Sequence, residues 1–194
     1  MPLLIFITGK QGSGKSHVAR AWAKAHDAAH LDIDRVLVAG GMKIPGSDGR
    51  DRTDWDLWHN ISNELRESCI RSGLKEAYGD LVANSRDLVV EGAILCNPWF
   101  FDPMLAVLNE QLSKESKVHR CYLNVSNEII LRNVHKRADD NPKHRRHERE
   151  QFRTELDIAQ THLGFDVAVK SIPDRWIEFD SSDALELALN SVSE

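Results

Sequence analysis

The chain lacks any apolar run approaching the roughly 18 residues of a membrane-spanning helix, so no such span is expected. It is also poor in cysteine. Cys69, Cys96 and Cys121 are odd in number, far apart and in no CxxC spacing, which argues against a disulfide framework or a cysteine-built zinc site. A reducing, cytoplasmic setting fits that usage. There is no basic excess: 25 Lys and Arg stand against 30 Asp and Glu, for a net charge of −5. Bulk charge therefore argues against a nucleic-acid coat or a membrane-surface binder. No secretory signal is expected either, because the first apolar run stops at Ile7 and a glycine- and lysine-rich stretch follows it. Internal repeats and low-complexity linkers are missing too, and the length suits one domain over 1–194.

What is present begins with "LLIFITGKQGSGKS". Leu3 to Ile7 reads as a short, fully buried strand, and Ser16 to His26 has helical spacing through Val18, Ala21, Trp22 and Ala25. Between them, Gly9 to Ser16 matches GxxxxGK[ST], a pattern that chance places in roughly one chain of this length per hundred. Its position between a strand and a helix is the stronger signal. Gly9, Gly12 and Gly14 let the backbone curl, so that amides from Gln11 to His17 can face phosphate oxygens at the positive end of the helix. Lys15 can reach the β- and γ-phosphates, and the Ser16 hydroxyl can ligate Mg²⁺. The expectation is a site for Mg·ATP.

Four more strands are expected in "AAHLDID", "DLVVEG", "VHRCYLNV" and "RWIEF". Helices are expected after Asp54 (with Leu57, Ile61 and Leu65 on one face), after the Asp102–Pro103 pair to about Ser113, after Ser126, from about Glu148 to Leu163, and in "SDALELALNSV". "AGGMKIPGSDGRDRTD" reads as loop. Alternating strands and helices predict an α/β domain: a five-stranded parallel sheet in a three-layer α/β/α arrangement.

Ligands in such sheets sit beyond the carboxyl ends of strands. Asp32 and Asp34 fall at one such end and Glu91 at another, where they suit a metal and a proton acceptor; singly, each also suits a helix cap or a solvated loop. From Arg132 to Arg149 seven basic residues (Arg132, Lys136, Arg137, Lys143, Arg145, Arg146, Arg149) and three acids leave +4, either a solvated helix face or a lid over a triphosphate. His144 and His147 sit among those cations and lack clear partners for a metal site. Lys43, Arg50, Arg52, Trp55, Trp58 and His59 either clamp an acceptor or, for the two indoles, face a core. Trp99, Phe100 and Phe101 line a pocket or pack beneath it.

Together these landmarks resemble the P-loop small-molecule and nucleotide kinases, the nucleoside-monophosphate, shikimate, gluconate and uridine kinase group. "LDID" is similar to the D-x-D of shikimate, gluconate and adenylylsulfate kinases, which implies that Asp32 helps organise Mg²⁺ and that Asp34 contacts the acceptor, with the base either Asp34 or Glu91. "LVVEG" is similar to the strand ending of uridine kinases and phosphoribulokinase, which implies a role for Glu91 near the metal or the acceptor. "YLNVSNEIILRNVHKR" resembles the segment leading into the lid, which implies Arg132 or Arg137 near ATP. The resemblance spans nearly the whole chain. It implies an acceptor-binding segment at about 37–85, a lid at about 137–150, and transfer of the γ-phosphoryl group of ATP to a nucleoside, nucleotide, sugar acid or polyol. Acceptor and oligomeric state stay open.

Two other classes compete. A switch or motor NTPase needs no acceptor, but the N/T-K-x-D tetrapeptide of guanine readers is missing and an AAA-type motor usually needs a longer chain. A nucleic-acid end kinase is suggested only by the basic run Lys143 to Arg149.

Overall fold

The computed structural model describes residues 1–46, 51–84, 87–112, 116–140, 150–161, 165 and 176–192. In chain order the elements are β1 (Leu3–Gly9), α1 (Lys15–His26), β2 (Ala29–Asp32), α2 (Ile33–Ala39), β3 (Lys43–Pro45), β4 (Asp51–Thr53), α3 (Trp55–Asn60), α4 (Asn63–Asn84) and β5 (Leu88–Glu91). A 3₁₀ turn (Ala93–Cys96) then leads to α5 (Pro98–Leu112), β6 (Lys117–Leu123), α6 (Asn127–Asp140), α7 (Glu155–Thr161), β7 (Ile177–Phe179) and α8 (Ser182–Val192).

Five strands form one parallel sheet in the order β2-β5-β1-β6-β7. β1 is buried at all seven positions because it is paired on both sides and covered on both faces. Alternation along it divides the core. Leu4 and Phe6 join Leu31 and Val90 beneath α2, α4 and α5, through Val36, Ile70, Leu74, Phe100 and Met104. Ile5 and Ile7 join Val89 beneath α1, α6 and α8, through Val18, Trp22, Ile130, Val134, Leu185 and Leu189. The result is the expected three-layer α/β/α fold, with all five expected strands in it.

The excursion between β2 and β5 departs most from expectation. A helix, α2, starts directly after Asp32, whose side chain accepts the Asp34 N–H at 3.0 Å as its N-cap. The segment read as loop contains the antiparallel hairpin β3–β4, with Ile44 opposite Arg52. Asp54 does cap a helix, accepting the Leu57 N–H at 2.9 Å, but α3 ends at Asn60 and the stripe of Leu57, Ile61 and Leu65 does not form. Leu57 and Leu65 are exposed, and Trp58, fully buried and tilted against Phe100 at 5.3 Å between ring centroids, anchors the helix instead. Arg66 fixes the corner by donating to the Trp58 and His59 carbonyls, each at 3.2 Å, and to Asn63 Oδ1 at 2.9 Å.

Asp102 and Pro103 do not open α5. The helix starts at Pro98, where the Asn97 carbonyl accepts the Phe100 and Phe101 amides, and Pro103 lies inside it. Phe100 and Phe101 are core residues. Of the helix expected from Glu148 to Leu163, only α7 is a described helix of more than one turn, and positions 141–149 and 162–164 lie outside the described residues.

α2 and α4 cross at near contact. A Cβ at Gly73 would collide with the Val36 carbonyl oxygen, and one at Gly40 with the Cys69 carbonyl. Gly73→Ala must push the two helices apart, so a loss of about 2–3 kcal/mol is expected in urea unfolding. A change below about 0.5 kcal/mol would show that the crossing has slack.

Candidate nucleotide and acceptor site

The loop after β1 is shaped by two glycines in the left-handed region, Gly12 at φ +87° and Gly14 at +99°. A tight turn closes where the Ser13 N–H donates to the Lys10 carbonyl at 3.1 Å. Gly12 packs against α6: a Cβ there would lie 2.8 Å from Val134 Cγ2, and its carbonyl accepts Asn133 Nδ2 at 2.9 Å. Gly9 is hemmed in by the Leu123 carbonyl and Ser13 Oγ, each 2.8 Å from a built Cβ. No side chain caps the N-terminus of α1, so no side chain takes up its first amides. Ser13 Oγ is buried with no hydrogen-bond partner among the described residues. Such a cradle of open amides, an unsatisfied hydroxyl and a lysine fits a polyphosphate.

Lys15 is half-buried, and its ammonium donates to the Lys10 carbonyl at a long 3.4 Å. Desolvation pulls it below the usual lysine range; Glu91 and Asp34 oppose that pull, Arg137 adds to it, and Asp32 opposes it. That list also defines the site, because one cation from the loop feels acids from β2, α2 and β5 and an arginine from α6.

Glu91 ends β5 beside β1, 3% exposed, in register with Asp32. Desolvation pushes its carboxyl up, but His30, then Lys15 and the Ser16 hydroxyl outweigh this and hold it below the usual range. His30 Nε2 stands 3.6 Å from Glu91 Oε1, an ion-pair distance rather than a close hydrogen bond. Asp32 is half-buried, its carboxyl raised by desolvation and by Glu91. Asp34 is exposed at the cleft mouth, yet protein on most sides, then the charge of Asp32, push it up to about 6. Thr53 Oγ1 donates to Asp34 Oδ1 at 3.4 Å.

Lys15, Ser16, Asp32, Asp34, Glu91 and Arg137 thus converge at the carboxyl end of the sheet. Gln11 and Gly14 lie in the loop, half-buried, and His17 is exposed in the first turn of α1. Arg132 is exposed on α6. Lys136 is also exposed on α6, while positions 143–149, with the other four cations of the basic run, lie outside the described residues, as does Arg50. Sequence reasoning did not single out His30, Thr53, Tyr78 or Asn133; each looks like ordinary strand, loop or helix filling until the fold brings it to the cleft. Among the described residues there is no cluster of three or more His, Cys, Asp or Glu able to hold a metal alone, and no helix long and apolar enough to cross a membrane. The oxygen donors of Ser16, Asp32 and Glu91 do suit Mg²⁺, which takes few protein ligands and completes its shell with phosphate and water.

A phosphate-cradling loop on the central strand, with acids at the ends of its neighbour β5 and of β2 beyond it, defines a P-loop nucleotide-binding fold of the small-molecule kinase type. A family model described as an AAA domain matches residues 4–161, and the chain belongs to that family. None of the curated proteins compared with it matches. Among solved structures, it is similar to a gluconokinase from Sinorhizobium meliloti 1021 at 16% identity, with 99% of this chain and 94% of that one covered and a TM-score of 0.51. A proposed kinase from Chloroflexus aurantiacus is similar at 12% identity, with 98% and 97% covered and a TM-score of 0.51. A shikimate kinase from Acinetobacter baumannii aligns at 18% identity over 99% and 92%, with a TM-score of 0.49. At these identities the likeness to the first two speaks for the fold alone.

Proposed function

We propose that the protein is an ATP-dependent phosphotransferase that moves the γ-phosphoryl group to the hydroxyl or phosphate of a small molecule. The observation that carries this reading is the gathering of Asp32, Asp34 and Glu91 around Lys15, with Asp34 left open to the cleft at a carboxyl value of about 6. A pure hydrolase has less use for an exposed, near-neutral carboxyl at the cleft mouth. Such a group suits proton acceptance from a hydroxyl.

In this reading Gly9, Gln11, Gly12, Ser13, Gly14, Ser16 and His17 form the cradle of the triphosphate, Ser13 through its buried hydroxyl because its amide is taken by Lys10, and Lys15 meets the β- and γ-phosphates. Ser16 and Asp32 hold Mg²⁺, which neutralises phosphate charge when bound. Asp34 takes the acceptor proton. Glu91, held ionised by His30 and Ser16, steadies the metal side, and it is the alternative base. Arg137, at the head of a lid of about 137–150, balances charge on the transferring group, and Arg132, exposed on the same helix, is the other candidate for contact with ATP. The acceptor enters from the segment of about 37–85. Rate comes from positioning and charge stabilisation.

The AAA domain match favours one second reading, an NTPase whose output is a conformational change. ADP release from Mg·ATP, measured against nucleosides, nucleotides, sugar acids, polyols and aminoglycoside-like compounds, separates the two. One acceptor that raises turnover and gains a phosphate is the expected result. Hydrolysis untouched by every acceptor, from a ring or filament in sizing experiments, would favour the second.

A further inference from the structure

β2 lies at the edge of the sheet, so amides on its outer side have no ladder partner. One of them belongs to Asp32, and it donates to the phenolic oxygen of Tyr78 at 3.1 Å, across 46 residues of chain. Tyr78 is only 8% exposed and sits on α4, inside the excursion read above as the acceptor side. Its ring is covered by the Arg35 guanidinium at 5.1 Å from the centroid, so the phenol is fixed from a second direction. The Asp32 carboxylate in turn accepts the Asp34 N–H at 3.0 Å. A continuous chain of contacts therefore runs from α4 through Tyr78 and the backbone of Asp32 to the first turn of α2, where Asp34 sits. Thr53 adds a longer, weaker contact at 3.4 Å from the hairpin to Asp34 itself.

We propose that Tyr78 is a positioning residue for the Asp32–Asp34 turn, through which the acceptor-side excursion sets the aim of both acids. The roles of the acids rest on the phosphotransferase reading; the coupling rests on the contacts alone. Among the described contacts, the Tyr78 hydroxyl is the partner of the Asp32 amide. Without it that amide loses its partner at the sheet edge, and the turn gains freedom at the point where the metal-side and acceptor-side carboxylates diverge. Support of this kind behind a ligand typically changes metal affinity by about 10- to 100-fold.

Tyr78→Phe removes one oxygen and keeps the ring beneath Arg35. Hydrogen exchange of the Asp32 amide should speed up by about 10-fold or more in the full-length variant. Affinity for ADP without metal, which needs only the P-loop, should stay unchanged, whereas Mn²⁺ affinity of the ADP-bound protein should fall by about 10-fold. With an acceptor in hand, kcat should fall and KM for Mg·ATP should rise by up to the same 10-fold, because a weaker hold on the metal carries over into the affinity for the metal–nucleotide complex. An unchanged Asp32 exchange rate would overturn the inference. So would metal-free ADP and Mn²⁺ affinities falling together, since that marks general loosening. If the wild-type protein transfers phosphate to no acceptor, the phosphotransferase reading fails, while the exchange and Mn²⁺ measurements still decide the role of Tyr78.

Discussion

Lys15→Ala should lower phosphoryl transfer by about 10³-fold with the fold retained, because an aligned charge donor at a developing phosphoryl charge carries roughly that much. The wild-type ammonium is held among three acids at some cost from desolvation, which depresses its proton affinity. Phosphate arriving in the cradle supplies the negative charge that favours the ammonium form, so binding and charging reinforce each other. The truncation should also be felt by its neighbours. Lys15 lowers the carboxyl values of both Asp34 and Glu91, so both should rise in the variant. Turnover alongside circular dichroism checks the prediction, and a variant keeping more than about a tenth of wild-type rate would remove Lys15 from the reaction.

Asp34→Asn should cost about 10²- to 10⁴-fold in transfer while leaving ATP affinity nearly intact, the usual range for a lost general base. Its pH dependence is the sharper check. In the folded protein the Asp34 carboxyl is raised to about 6, so the free enzyme loses its proton acceptor below that pH. An acid limb in kcat/KM near pH 6 is expected for the wild type, and it should vanish from the residual activity of the asparagine variant. Stability should move the other way. A raised folded-state value means that stability from this group is present at low pH and is lost as pH rises through about 6. The asparagine variant should therefore melt higher than the wild type at pH 8 and gain little at pH 4. A wild-type limb that survives in Asp34→Asn would remove Asp34 as the group that sets it.

The parts of this molecule readable from sequence are those decided locally. Leu3 to Ile7 announces a doubly covered strand, and the spacing of Gly9 to Ser16 fixes its own backbone, so strand, loop and α1 follow from about two dozen residues. Asp32, Asp34 and Glu91 were legible because strand ends point at the cleft in any parallel sheet. The excursion was not. The apolar periodicity of Leu57, Ile61 and Leu65 suggested one helix, but burial of Trp58 against Phe100 outweighs it, and the chain breaks at Ile61 so that α4 can bring Gly73 against α2. Pro103 suggested a helix start for a local reason, and the Asn97 carbonyl set the start earlier. Thr53, Tyr78 and Asn133 matter through partners 19, 46 and 121 residues away, and no window of sequence contains such pairs.

Sheet order also bears on how this chain can diverge. β1, which carries the phosphate loop, is laddered on both sides, whereas β2, which ends in Asp32 and leads into Asp34 on α2, is laddered on one. Substitutions in the rim formed by β2, α2 and the hairpin disturb a single ladder and leave the central strand in place. On the phosphotransferase reading, acceptor preference can therefore be altered at the rim while the strand beneath the phosphate loop keeps both its ladders.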